Sequence, residues 1–266
     1  MLPRRTLLEG SRDPQALEPL ITAAETALRT WEPVWTAFLD PGLVEEAEAR
    51  LGGLSELRLA ALGGIAGAER RRLLLQRADA ALEPEILVAE AAAAPFMGLE
   101  ISGNFLFDPA EPGDVRSGLL AAGADPGELG DLWLRGDRGA QAVVDPALAA
   151  RLDGVTARVR TVEVLLEARP LEQLQPPPQR AARQISTVEA SLRLDAVASA
   201  GFGLSRSRMA DRIRQGAVRV NWQPVTSPSR ELAVGERVRL EGRGELRIDA
   251  VEETKRGRWR VVLTRC

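Results

Sequence analysis

The chain reads as an α+β protein in three parts: a mainly helical N-terminal region, an α-β plait in the middle and a small basic module at the C-terminus. Three observations carry this reading. Apolar spacing is helical near the start and switches between helical and strand-like through the middle. A break rich in proline and glutamine, Pro170-Leu171-Glu172-Gln173-Leu174-Gln175-Pro176-Pro177-Pro178-Gln179, follows. The charge changes sign at that break: residues 1–180 hold 18 arginines against 28 Asp and Glu, and residues 181–266 hold 17 basic against 10 acidic residues. A body of net −10 thus carries an end of net +7, the distribution of a polyanion-binding module on an acidic support. Expected boundaries are residues 1–82, 83–170, a linker over 171–183, and 184–266.

In the first part, Asp13-Pro14 reads as a helix start, with Asp as N-cap and proline at the first helical position. Leu17, Leu20, Ile21, Ala24, Leu28 and Trp31 then recur at helical spacing. Asp40-Pro41 opens a second helix to about Leu51. Leu57 to Leu62 reads as a strand, followed by Gly63-Gly64-Ile65-Ala66-Gly67. A third helix is expected from Ala68 to Ala81, carrying Arg70, Arg71, Arg72 and Arg77. Gly-Gly opening a helix can bring backbone amides to a phosphate. It equally fits a plain turn, since the Gly-Lys-Ser/Thr of a P-loop is missing.

The middle part alternates in type. Leu99 to Phe107 reads as strand or hairpin, with Phe105 and Phe107 in the core. Asp114 to Ala122 reads as a helix stopped by Gly123. Asp131 to Leu134 and Ala140 to Val144 read as strands. Asp145-Pro146 caps a short helix to Leu152, and Val155 to Leu166 alternates again. The order is β-α-β-β-α-β, that of ferredoxin-like and RNA-recognition plaits. Such a fold hosts many functions. The one strand aromatic outside the first strand is Trp133, a thin platform for base stacking.

The last part opens with a helix from Leu192 to Ala200, capped by Ser191 or one turn earlier by Ser186 with Glu189. Gly201-Phe202-Gly203-Leu204 ends it, and Ser205 caps a second helix, Arg206 to Gln215. Met209, Ala210 and Ile213 form its apolar side, and Arg208 and Arg212 share the opposite one. Val218-Arg219-Val220-Asn221 follows as a strand with Arg219 turned away from its valines. Guanidinium forks suit phosphate oxygens and stack on bases. Spacing alone fits a solvated helix face equally well. Glu245 to Val251 and Arg258 to Thr264 form a hairpin. Its turn, Lys255-Arg256-Gly257-Arg258, either extends the basic surface or is merely solvated.

The absences exclude whole classes. The chain has no histidine, no tyrosine and one cysteine, Cys266. Ser-His-Asp and Cys-His catalysis, histidine-bound metals and internal disulfides are therefore out, and no cofactor is expected. A reducing, cytoplasmic compartment fits. No apolar run reaches the roughly 18 residues of a membrane span.

The wording of the last part is specific. Ser191-Leu192-Arg193-Leu194-Asp195, Leu204-Ser205-Arg206-Ser207-Arg208, Gly216-Ala217-Val218-Arg219-Val220-Asn221 and Val234-Gly235-Glu236-Arg237-Val238 resemble the S4 RNA-binding domain. The departures are Trp222, where glycine often follows the Asn, and Glu236 in place of Asp. The resemblance implies an αL-type helix pair on a small sheet, with Arg193, Ser205, Arg206, Arg208, Arg212, Arg219 and Asn221 lining the RNA side.

The whole chain resembles the YlmH-like family, including its cyanobacterial and plastid branch called photosystem II S4 domain proteins. Gly63-Gly64-Ile65-Ala66-Gly67-Ala68-Glu69-Arg70-Arg71 and Gly130-Asp131-Leu132 carry that likeness along with the C-terminal blocks. In the middle part, Pro112-Gly113-Asp114-Val115-Arg116 stands where the family tends to have His-Arg-Asp. The resemblance implies a non-enzymatic factor that binds rRNA or tRNA on the large ribosomal subunit in ribosome rescue. Two other readings are an RNA-modifying enzyme, with Asp114 or Asp131 as acid or base, and an adaptor with a photosynthesis-related role.

Overall fold

A computed structural model describes residues 2–81, 95–178, 182–240 and 243–266, which form two compact units divided after Pro178. The first unit joins the first two sequence parts. It opens with α1 (Arg4–Leu8) and α2 (Pro14–Thr30), where the Asp13 carboxylate accepts the Ala16 N–H. A short β1 (Val34–Trp35), α3 (Pro41–Leu51), β2 (Leu57–Leu62) and β3 (Arg72–Arg77) follow, with strand order β1-β3-β2. Leu17, Ile21 and Ala24 of α2 and Val44, Ala47 and Leu51 of α3 pack on Leu73 and Leu75 of β3.

The helix expected over Ala68 to Ala81 is therefore not there. Residues 63–69 make a turn, and Arg72–Arg77 is a strand whose three leucines are all fully buried. A continuous apolar run suits a strand covered on both faces as well as a helix, and tertiary cover decides between them.

The middle sheet comprises β4 (Met97–Ser102), β5 (Leu129–Leu134), β6 (Gly139–Val144), β7 (Thr156–Val159) and β8 (Val162–Arg169), in the order β5-β6-β4-β8-β7 and antiparallel throughout. α4 (Pro112–Ala121) crosses from β4 to β5 with β6 between them, the split βαβ arrangement, and α5 (Pro146–Leu152) leads from β6 to the edge strand β7, which turns back into β8 beside β4. Val115 and Leu119 of α4 and Leu148 and Leu152 of α5 pack on Leu99, Ile101 and Leu166.

Three expectations fail here. Val155 to Leu166 is not one strand but the antiparallel pair β7 and β8, turned at Arg160 and Thr161. Phe105 is buried, but Phe107 is 91% exposed, because the chain turns out of the sheet after Ser102. The start of the proposed linker belongs to the first unit. Leu171–Gln173 forms a 3-10 turn and Leu174 is buried with Phe38, Phe96, Trp133 and Val143. Trp133 Nε1 donates to the Gln175 carbonyl at 2.9 Å, and Gln175 N–H donates to Gln141 Oε1 at 2.8 Å. Residues 179–181 of that linker lie outside the described residues.

The second unit is a six-stranded antiparallel sheet covered by two helices. Its elements are β9 (Arg183–Glu189), α6 (Leu194–Phe202), α7 (Arg206–Arg214), β10 (Val218–Val220), β11 (Gln223–Pro224), β12 (Arg237–Leu240), β13 (Gly244–Glu253) and β14 (Trp259–Arg265). Strand order is β11-β10-β12-β13-β14-β9. Leu194, Val197 and Phe202 of α6 and Met209 and Ile213 of α7 close over Val218, Val238, Leu246, Val261 and Leu263. Ser186 and Glu189 lie in β9 rather than in a capping box, and Arg193 is the N-cap of α6.

Candidate nucleic-acid interface

The helix pair starts from Asp195, which is 5% exposed near the N-terminus of α6. Arg193 Nε and Nη2 donate to its two carboxylate oxygens at 3.1 and 3.2 Å, and Arg206 Nε and Nη2 do so at 3.1 and 3.3 Å. Burial pushes the Asp195 carboxyl up, but hydrogen bonds from both arginines hold it below the usual carboxylate range. Two of the expected RNA-side arginines are thus planted on one buried anion, with 38% and 54% of their side chains still exposed.

Ser205 caps α7: its hydroxyl accepts the Arg208 N–H at 3.4 Å. Behind that cap Met209, Ala210 and Ile213 are buried, so Arg208 and Arg212 point outward. Among the described residues the Arg208 guanidinium makes no ion pair. Arg219 is exposed on β10 between buried Val218 and Val220, and its Nη1 donates to the Trp222 carbonyl at 3.5 Å.

Asn221 differs from the rest of the expected set. Its φ is +49°, its Oδ1 accepts the Arg237 N–H at 2.9 Å, and its Nδ2 donates to Glu236 Oε1 at 3.3 Å. The geometry gives this amide to the turn after β10.

The outer face of the sheet adds residues that sequence reasoning passed over. Arg219 pairs in register with Arg239, and Arg237 with Arg247. Arg237 and Arg239 lie over the Trp222 ring at 4.8 and 5.7 Å. Their signal was present in the alternation of Arg237 and Arg239 with the core residues Val238 and Leu240.

Residues 12–80 match the family model described as YlmH, N-terminal, and residues 192–238 match the S4 domain. The chain thus resembles YlmH proteins in its N-terminal part and the S4 domain near its C-terminus. It is 27% identical over 231 residues to "Ribosome-associated protein quality control protein P2" of Bacillus subtilis (strain 168), covering 86% of each chain. Among solved structures it is similar to "Cell division protein ylmH from Streptococcus pneumoniae" at 18% identity and a TM-score of 0.43, over 61% of this chain and 94% of that one.

In this chain the N-terminal blocks that carry the likeness meet as a joint. Asp131 accepts the N–H groups of Glu69 and Arg70 at 2.7 and 2.8 Å. Arg70 donates to the carbonyls of Leu129, Phe38 and Pro126 and pairs with Asp40. A Cβ on Gly130 would lie 2.7 Å from the Phe38 ring, so that position needs glycine for the close approach. The Gly63–Gly67 stretch is a turn between strands, not the mouth of a helix.

Asp114, the other carboxylate weighed as an acid or base, accepts the Glu111 N–H at 2.8 Å in a capping box and lies 3.6 Å from Arg160. The plait's own sheet face gives no aromatic platform at Trp133, which is 8% exposed under Leu174 and Gln175. Among the described residues no group of three or more His, Cys, Asp or Glu side chains could hold a metal ion, and no helix is long and apolar enough to cross a membrane.

Proposed function

We propose that this chain is a non-enzymatic RNA-binding factor of the ribosome. It binds rRNA or tRNA on the large subunit through its C-terminal unit and serves in ribosome quality control in the cytoplasm. One observation carries the reading. The α6–α7 pair turns Arg208 and Arg212 outward beside Arg193 and Arg206, which a buried carboxylate holds in place. Fixed forked donors beside exposed ones suit the phosphates of a folded RNA, where affinity is largely electrostatic. The S4 match over residues 192–238 and the printed name of the Bacillus relative support it. Asn221 acts in this reading through the turn rather than by touching RNA.

The test is an R208A/R212A double variant titrated with ribosomal RNA across a salt series. Both side chains point away from the core, so the fold is kept. The log–log salt slope is expected to fall by roughly 1.4–1.8, two phosphate contacts' worth. Unchanged affinity and slope would remove the helix pair from the site. Ultraviolet crosslinking in the native host then identifies the RNA: a peak on large-subunit rRNA or tRNA supports the ribosomal assignment, and scattered messenger reads overturn it.

A further inference from the structure

Asn221 and Trp222 alone connect β10 to β11, and both are left-handed, with φ of +49° and +68°. Two left-handed residues in a two-residue connection make a type I′ turn, whose second position ordinarily belongs to glycine. An L side chain there crowds the backbone and costs stability. The bulkiest side chain of all occupies it.

The surroundings hold that side chain in one orientation. The Arg237 guanidinium lies 4.8 Å from the indole ring and is itself fixed by Glu245, Nε to Oε1 at 2.7 Å and Nη2 to Oε2 at 2.9 Å. The Asn221 amide and the Arg230–Glu236 pair, at 2.8 Å, pin the turn. Arg219 and Arg239 face each other directly across β10 and β12 on the outer side of the sheet. Arg239 also stands opposite Glu245 in β13, and the two guanidinium groups offer forked donors side by side on that face. A phosphate alone would use the two arginines and leave the partly exposed indole without a purpose. A nucleotide uses both, since it has an anion and a flat π-face.

We propose that Trp222, Arg219 and Arg239 form a subsite for one unpaired nucleotide of RNA, its base against the indole and its phosphate between the two guanidinium groups. The proposal rests on the RNA-binding reading above and adds to it a preference for a looped-out or single-stranded base. Trp222 holds the position where a type I′ turn ordinarily has glycine, so the turn itself does not call for this ring.

The experiment compares the full-length wild type, W222G, W222F and R208A/R212A. The probes are an RNA hairpin with an unpaired loop and a fully paired duplex of the same stem. W222G restores the Asn-Gly turn, so its Tm should hold or rise by a few degrees. Its affinity for the looped RNA should fall roughly 5- to 150-fold, the worth of one stacked base, with the duplex unaffected. W222F should retain most of the looped-RNA affinity. Undiminished looped-RNA binding by W222G, with R208A/R212A impaired, overturns the subsite and leaves the RNA reading standing. If neither variant is impaired, the RNA reading falls and takes the subsite with it. A lowered Tm with equal losses on both RNAs also overturns the proposal, because Trp222 would then serve the fold alone.

Discussion

Arginine does opposite jobs in the two units. In the first unit it is used as an internal fastener. Arg72 is 12% exposed; its Nη1 donates to Asp145 at 2.9 Å and to the Pro95 carbonyl at 2.8 Å, and its Nε to the Thr36 carbonyl at 2.6 Å. Arg70 ties the helical layer to the plait through three carbonyls and Asp40. In the second unit the arginines of α7 and of the outer sheet face stand on a closed apolar core and turn outward. Counting arginines therefore says little about polyanion binding until their partners are known. A guanidinium saturated by carbonyls and carboxylates inside a fold has few donors left for phosphate.

The contrast can be broken most directly at Arg72. Arg72→Ala should destabilise the first unit by about 3 kcal/mol, because it removes the guanidinium from Asp145 Oδ2 and from two carbonyls in a partly buried place. Thermal unfolding would register it, while RNA affinity measured below the transition should not change. An RNA defect of the folded R72A protein would erase the distinction between fastening and surface arginines.

Asp195 is the place where the two uses meet. Asp195→Asn should cost about 1 kcal/mol, less than a fully buried pair because both guanidinium groups are a third to a half exposed. The pH dependence sharpens this. A carboxyl held low in the folded state stabilises above the ordinary carboxylate range, near pH 4, and loses that contribution as pH falls through its folded value. Wild type and D195N should thus differ at neutral pH and converge in acid. RNA binding gives a second readout with a definite sign. Removing a negative charge should strengthen RNA binding if Asp195 merely neutralises its neighbours, and weaken it if it positions Arg193 and Arg206. Weaker binding is expected.

The smallest effect belongs to Phe107. Phe107→Ser should change stability by no more than the roughly 0.5 kcal/mol typical of surface changes, read by thermal unfolding, since the ring is 91% exposed. A large loss would return that ring to the core that the alternating pattern suggested.

Much of the architecture was readable before any coordinates. Asp13-Pro14, Asp40-Pro41 and Asp145-Pro146 each start a helix, because an Asp N-cap before a proline is a local signal. The β-α-β-β-α succession of the plait was legible too, whereas the last strand read from Val155 to Leu166 is the hairpin of β7 and β8. The misreadings share a cause. Leu73-Leu74-Leu75 carries no period, so nothing local separates a doubly covered strand from a buried helix. Leu174 lies in a proline-rich stretch, and only the pocket formed by Phe38, Phe96 and Val143 makes it a core residue. Of the site, the outward face of α7 was legible from Met209, Ala210 and Ile213. The role of Asn221 was not, since a short-range motif does not say which strand the amide will meet.

The sequence by itself determined the three Asp-Pro helix starts, the β-α-β-β-α order of the plait, the acidic body with its basic end, and the helix pair that offers Arg208 and Arg212. These depend on caps, periodicity and composition, which act over a few residues. The tertiary structure alone decided which arginines are fasteners and which are surface, that Asp131 closes a joint, and that Trp222 stands between Arg237, Arg239 and Arg219. Those outcomes join residues far apart in the chain, such as Arg70 with Asp131 and Arg72 with Asp145. Pairings of that kind exist only once burial has brought their partners within hydrogen-bonding distance.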